Sequence, residues 1–264
     1  MDILSEITAK KRLGVESAKR ALSLEQLRAM ALDARVDAKA HALRDALGRN
    51  ADIINIIAEF KRRSPSRGMI RENAEAATMA RSYESAGAAA ISVLTEENYF
   101  AGSLADLRAV REVVAIPILR KDFIFDEYQV YESAAAGADA LLLIVAALDD
   151  EALARLLRLT EDDLGMDALV EVHTKKEMER AVGRGAKLIG VNNRDLRTFN
   201  VSTETSVELA PFAPAETVLV SESGLTPNEV RKLRAVGYRG FLVGEVLMRA
   251  ESPEDELSAF RGKG

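Results

Sequence analysis

The 264-residue sequence contains no cysteine. That excludes disulfides, thiolate metal sites and cysteine nucleophiles. Histidine is almost as scarce, at two residues, His41 and His173, so a multi-histidine metal centre is ruled out as well. No basic segment followed by an apolar core opens the chain at Met1-Asp2-Ile3-Leu4, so no signal peptide is expected. The longest apolar run, 140–148, is far too short to span a bilayer. A glycine-rich dinucleotide fingerprint is missing after the first apolar run. Positive charge is not in excess either: the net charge is −6, which argues against a general nucleic-acid binder. A cytoplasmic protein is expected, acting on a small molecule and binding neither membrane nor nucleic acid.

What the sequence does hold is apolar mass and regular alternation. Hydrophobic residues make up 48% and charged residues 30%, enough for a large core under a solvated surface. Residues 1–48 read as helical throughout. Ile3, Leu4 and Ile7 share one helical face, Ser23-Leu24-Glu25-Gln26 has the form of a capping box, and Met30 to Leu47 is rich in helix formers. This stretch lacks the strand–helix rhythm of the remaining chain and is expected to be an extension covering the site.

From Ile53 onward a unit repeats at a spacing of about 20–30 residues, the size of a strand plus a helix. The buried-strand candidates are 53–60, 88–95, 116–123, 140–146, 168–172, 188–192, 218–221 and 241–244. Gly87, Gly137, Gly185 and Gly237 each stand just before a strand, where a helix C-terminus needs a left-handed residue. Thr174-Lys175-Lys176-Glu177 and Thr226-Pro227-Asn228-Glu229 have the form of capping boxes. Eight apolar parallel strands predict a (β/α)8 TIM barrel over 49–264, behind the helical extension of 1–48. A doubly wound open sheet is the second choice, weakened by the missing fingerprint.

In such a barrel, inward side chains at the carboxyl ends of the strands line the active site. Those ends offer Glu59 and Lys61, then Lys121, Glu171, Asn192 and Glu222. Ionisable groups above apolar strands are costly unless paired or in use. Ser223-Gly224 and Gly244-Glu245 follow strands seven and eight, where barrels commonly hold a phosphate against backbone N–H groups. The residues themselves leave two mechanisms open. Lys121 could form a Schiff base with a carbonyl, or donate a proton as an ammonium with Glu171 or Glu59 completing the pair. Asp122 is expected to orient Lys121 or cap the next turn, and His173 to play a loop or supporting role. The basic run after Lys61 is expected to be a substrate loop in which Arg62, Arg63 and Arg67 are solvated.

The motifs Ile57-Ala58-Glu59-Phe60-Lys61-Arg62-Arg63-Ser64-Pro65-Ser66, Leu119-Arg120-Lys121-Asp122-Phe123, Val170-Glu171-Val172-His173, Gly190-Val191-Asn192-Asn193-Arg194-Asp195-Leu196 and Ser221-Glu222-Ser223-Gly224 together resemble the indole-3-glycerol phosphate synthase family of tryptophan biosynthesis. The resemblance implies a carboxy-lyase without cofactor or metal that closes the indole ring of an anilino-ribulose phosphate. It implies Lys121 as general acid, Glu171 and Glu59 as acid–base groups, and Asn192 and Glu222 around the reacting sugar. Lys61 would meet the substrate carboxylate, with Ser64 on its loop. Arg194, Ser223, Gly224, Gly244 and Glu245 would surround the sugar phosphate, and Phe100, Phe123 and Leu142 would wall the aryl ring. A phosphoribosylanthranilate isomerase, the neighbouring barrel in the pathway, would need a catalytic cysteine that is absent here. A barrel kept only as a binding subunit would be expected to lack the strand-end lysine or carboxylates. A single synthase activity is expected, since little sequence follows the eighth strand. Nothing in the sequence fixes the oligomeric state, and a monomer is compatible with it.

Overall fold

The computed structural model describes residues 3–48, 53–195 and 198–262. The 48/49 boundary adjoins residues 49–52, and Leu196 of the fourth motif falls at 196–197; both segments lie outside the described residues. Among the described residues, eight parallel strands close into a barrel: β1 (Asn55–Phe60), β2 (Ala90–Leu94), β3 (Ile118–Lys121), β4 (Ala140–Ile144), β5 (Asp167–Val172), β6 (Leu188–Asn192), β7 (Val218–Glu222) and β8 (Gly240–Val243). Each strand pairs with its neighbours in sequence, and β8 returns to β1 with Asn55 opposite Gly240. An antiparallel ribbon, Arg63–Ser64 against Gly68–Met69, shapes the loop after β1. The eight expected strands are all present, with ends moved by a few residues. The third and fourth each stop two residues short, the fourth because Val145–Ala147 turn into a 3₁₀ helix.

Both faces of the strands are buried, which explains their near-continuous apolar sequence. Outward residues such as Ile56, Ala58 and Phe60 pack under the helices. Inward residues stack in layers drawn from alternate strands. Ile57, Leu119, Leu169 and Val220 form one such layer on β1, β3, β5 and β7. Two residues further along the same strands, the next layer from that set is Glu59, Lys121, Glu171 and Glu222. An apolar floor therefore lies directly beneath four ionisable groups.

The segment before β1 touches both ends of the barrel. Helix α1 (Ile3–Ala21) brings Ile3, Leu4 and Ile7 to the mouth. Helix α2 (Leu24–Arg35) starts at Ser23, whose hydroxyl and Gln26 complete the expected capping box. Helix α3 (Ala42–Gly48) reaches the opposite end, where Leu43 and Leu47 close the bottom of the inner core. The expected continuous helix from Met30 to Leu47 is broken over 36–41. Tertiary anchoring overrides local propensity there: His41 takes φ 51° and its N–H donates to Gly165 O, while Arg35 donates to Leu164 O and Gly165 O.

Helix ends follow the local signals with one modification. The four glycines adopt the left-handed conformation, with φ between 83° and 106°. Thr174 and Thr226 cap their helices through Glu177 N and Glu229 N. The reciprocal half of each box is diverted. The Glu177 carboxylate accepts from His173 N, and the Glu229 carboxylate accepts from Thr203 Oγ1.

Candidate active site

A cavity of about 550 Å³ opens at the carboxyl ends of the strands. Its lining includes every residue that the resemblance assigned to catalysis or substrate binding: Glu59, Lys61, Ser64, Phe100, Lys121, Phe123, Leu142, Glu171, Asn192, Arg194, Glu222, Ser223, Gly224, Gly244 and Glu245. The strand period places Glu59, Lys121, Leu142, Glu171, Asn192 and Glu222, since alternate residues face inward, and the loops beyond the strand ends and the ribbon after β1 supply the rest.

At the centre, Lys121 Nζ lies 3.0 Å from Glu171 Oε2 and 3.0 Å from Glu222 Oε2. Glu59 is 4% exposed, and Glu171 and Glu222 are each 2% exposed. Burial alone would favour a neutral amine on Lys121, but the charges of Glu171, Glu222 and Glu59 outweigh it and hold the ammonium above its ordinary range. The two carboxylates are driven apart. Burial pushes Glu222 up to about 7, against the pull of Lys121 and with the added repulsion of Glu171 and Glu59. Burial acts on Glu171 too, but Lys121, His173 and a hydrogen bond with Asn192 hold it below the ordinary carboxylate range. Near neutral pH this gives a fixed cation, an ionised carboxylate and a second carboxyl group poised to hold or release a proton.

Lys61 Nζ donates to Glu59 Oε1 at 2.5 Å, so the first strand carries its own ion pair into the cavity. Its neighbours are not the solvated charges expected from sequence. Arg62 makes a paired contact with Asp106 at 2.7 Å on each nitrogen, donates to Ala74 O and lies over the Phe60 ring. Arg63 donates to Tyr99 O and Asn98 O. These two residues fasten the loop, and Lys61 and Ser64 are presented from a clamped ribbon. Arg67 lines the cavity and pairs with Glu245 Oε1 at 3.3 Å. Arg249 Nε holds the same oxygen at 3.2 Å, so the carboxylate of Glu245 is neutralised by two cations.

Ser223 and Gly224 take successive left-handed conformations at φ 68° and 71°. Such turns point backbone N–H groups into a concavity suited to an anion. Gly244 precedes the helix Glu245–Arg249 and offers no side chain to cap it, leaving the first-turn N–H groups open to an acceptor. Arg194 is anchored by its N–H to Asn192 Oδ1 and by its guanidinium to Phe199 O. On the other side of the mouth the Phe100 and Phe123 rings stand 6.2 Å apart, and Leu142 lies among the lining residues.

Of its two expected roles Asp122 takes the capping one, with its carboxylate hydrogen-bonded to Phe123 N and not paired with Lys121. Its carboxylate accepts from Phe123 N, Thr95 Oγ1, Arg120 and Lys11, tying α1 to the end of β3. Sequence reasoning also missed Ile3, Leu4, Phe199 and Val201 as lining residues, and Arg67 and Arg249 beside the candidate anion site. The apolar face of Ile3, Leu4 and Ile7 was the available signal for α1. Nothing local marked the others.

The indole-3-glycerol phosphate synthase family profile matches residues 4–260. Proteins named indole-3-glycerol phosphate synthase from Carboxydothermus hydrogenoformans and Nocardioides sp. are 47% and 48% identical to this chain. The first alignment covers 96% of this chain and 97% of the relative, the second 99% of each. Solved structures share the fold at low identity. The 3-hexulose-6-phosphate synthase from Salmonella typhimurium gives a TM-score of 0.65 at 11% identity, over 80% of this chain and 98% of that one. KGPDC from Streptococcus mutans gives 0.61 at 14% identity, over 80% and 97%. With a profile match across nearly its whole length and relatives close to half identical, the chain belongs to the indole-3-glycerol phosphate synthase family.

Proposed function

We propose that this protein is a carboxy-lyase that converts 1-(2-carboxyphenylamino)-1-deoxyribulose 5-phosphate to indole-3-glycerol phosphate, carbon dioxide and water. The observation that carries this reading is the position of Lys121. A buried ammonium stands 3.0 Å from carboxylates on two other strands, above an apolar floor and inside a cavity with aromatic and cationic walls. The Lys121 ammonium donates a proton to the ketone oxygen as the carboxylate-bearing aryl carbon attacks the ketone carbon. Loss of carbon dioxide restores the aromatic ring. The new hydroxyl then leaves as water, with Glu171 assisting the proton transfers of that step. Glu59 orients or deprotonates the sugar hydroxyls, and Asn192 and Glu222 complete the polar surround.

Binding follows the same geometry. Phe100, Phe123 and Leu142 hold the aryl ring against the carbonyl carbon, which ring closure requires. Lys61, presented with Ser64, meets the substrate carboxylate. Arg194, Ser223, Gly224, Gly244 and Glu245 surround the phosphate, Glu245 through its backbone, because its carboxylate is already paired with Arg67 and Arg249. Residues 1–48 act as an extension to the 49–264 barrel, with α1 covering the mouth and excluding water. A Schiff base at Lys121 is disfavoured, since an amine held charged by three carboxylates is a poor nucleophile.

The test is to mix the protein with the anilino-ribulose phosphate and follow indole fluorescence. The chain has no tryptophan, so the product signal is unmasked. Turnover is expected without added metal, and its absence at high enzyme concentration defeats the assignment. A covalent adduct at Lys121 trapped by borohydride would replace acid catalysis with the Schiff-base route.

A further inference from the structure

The loop after β5 holds a half-buried titratable group that this mechanism does not use. His173 follows Glu171 by two residues and sits between two carboxylates. Its Nδ1 lies 3.3 Å from Glu177 Oε2, and its Nε2 lies 3.4 Å from Glu171 Oε1. The same Glu177 oxygen accepts from His173 N, so one carboxylate fixes both the backbone and the ring. Nε2 is buried and makes no hydrogen bond. It is close enough to Glu171 for strong charge attraction but not aligned as a donor. Lys121 occupies the other oxygen of Glu171 at 3.0 Å.

We propose that His173 is a positioning residue of this active site: held by Glu177, its imidazolium stands against Oε1 of Glu171 and keeps that carboxylate ionised and oriented while Lys121 stands against Oε2. Its catalytic meaning rests on the role assigned to Glu171 under the proposed function. Its geometry does not. The charged groups facing the ring are Glu177 from the following helix, Glu171 from β5 and Glu222 from β7. Burial opposes protonation of the ring, and these three carboxylates outweigh it, so His173 is held above the ordinary histidine range. Lys121 stands on the far side of Glu171 and counts against a second cation. Glu177 is what tips the balance, being itself held below the usual carboxylate range by the hydrogen bonds and charge of His173 despite its burial. The diverted capping box after β5 then has a purpose. Thr174 still caps the helix, while Glu177 is freed to hold the imidazole.

The experiment uses the full chain with 15N-labelled histidine. With two histidines in the sequence, a His41→Gln variant assigns both ring signals. The His173 midpoint is expected above the ordinary value of about 6.5, and to fall by about one pH unit or more in Glu177→Gln and in Glu171→Gln. A midpoint unchanged in folded Glu171→Gln overturns the proposal, whether or not the protein turns over substrate. In kinetics, His173→Asn should move the acid limb of the kcat profile up by about one pH unit while KM changes little. An unchanged profile with only a lower melting temperature would make His173 merely structural. If no form of the protein turns over substrate, the functional reading has failed and the ring titration alone decides this one.

Discussion

Gly190 on β6 and Glu222 on β7 interlock: a Cβ at position 190 would overlap Oε1 of the Glu222 carboxylate. Gly244 stands in the same relation to Oε1 of Glu59. In a close-packed barrel interior a carboxylate needs room that only a missing side chain on a neighbouring strand can supply. Glycine in a strand weakens it, so its place here reflects the demand of the facing residue and not of the backbone.

Gly190→Ala should therefore displace Glu222 from Lys121. Overpacking of this kind costs about 1–3 kcal/mol, and turnover should fall together with stability. Denaturant midpoints and kcat measured on the same preparation check this. A variant of normal stability and normal rate would mean that the carboxylate moves aside freely and that its position is not fixed.

Lys121→Met keeps the length of the side chain and removes the charge. Under the proposed mechanism this removes the general acid, and kcat should drop by about 10²–10⁴-fold. Glu171 and Glu222 would also face one another without the cation between them, so these two carboxyl groups should hold protons to higher pH than in the parent. Single-turnover kinetics and a pH-stat comparison of the two proteins read these effects separately. A near-normal rate would remove Lys121 from the mechanism.

The shift at Glu222 sets a stability profile with a definite sign. Its carboxyl is pushed up to about 7, above the value of about 4.3 expected in the unfolded chain. Between those limits the folded state keeps a proton that the unfolded state has lost, so stability contributed by Glu222 falls as pH rises. Below about pH 4 the contribution is fully present, and above about 7 it is gone. Glu222→Gln, which stays neutral, should gain on the parent in melting temperature across that window. A difference independent of pH would show that Glu222 ionises as it does in water.

The barrel was legible because parallel strands are buried on both faces and read as apolar runs that no other element of this chain imitates. The mouth was legible for a related reason. Ionisable groups at the ends of such runs, as at Glu59 and Glu171, have no comfortable place outside a site. Contacts made across the fold were not legible. Arg62 looks solvated until Asp106, 44 residues further on, is seen to take both its nitrogens. The break between α2 and α3 depends on carbonyls at Leu164 and Gly165, and the need for Gly190 depends on a side chain from the next strand. Strand period is local information. Pairing partners are not.

Lys11 tests how α1 is held over the cavity. The helix buries Ile7 and Val15 and is fastened by charge: Lys11 to Asp122 at 2.8 Å, Lys19 to Asp126 at 2.7 Å, and Tyr99 donating to Glu6 at 2.6 Å. Asp122 is buried, which alone would raise its carboxyl, but Lys11 and Arg120 hold it down at about 2. Arg120 and Thr95 remain as its partners when Lys11 is lost, so Lys11→Met should leave the end of β3 intact and loosen α1 alone. A loss of about 1 kcal/mol of docking corresponds to a factor of about five in the closed population. Amide exchange over 3–21 should rise by that factor, and KM should rise with it if α1 shuts water and substrate in. High salt should reproduce part of the effect in the parent protein, because the exposed members of the latch are screened. If exchange in α1 rises while KM stays constant, the helix is an ornament of the barrel and not its lid.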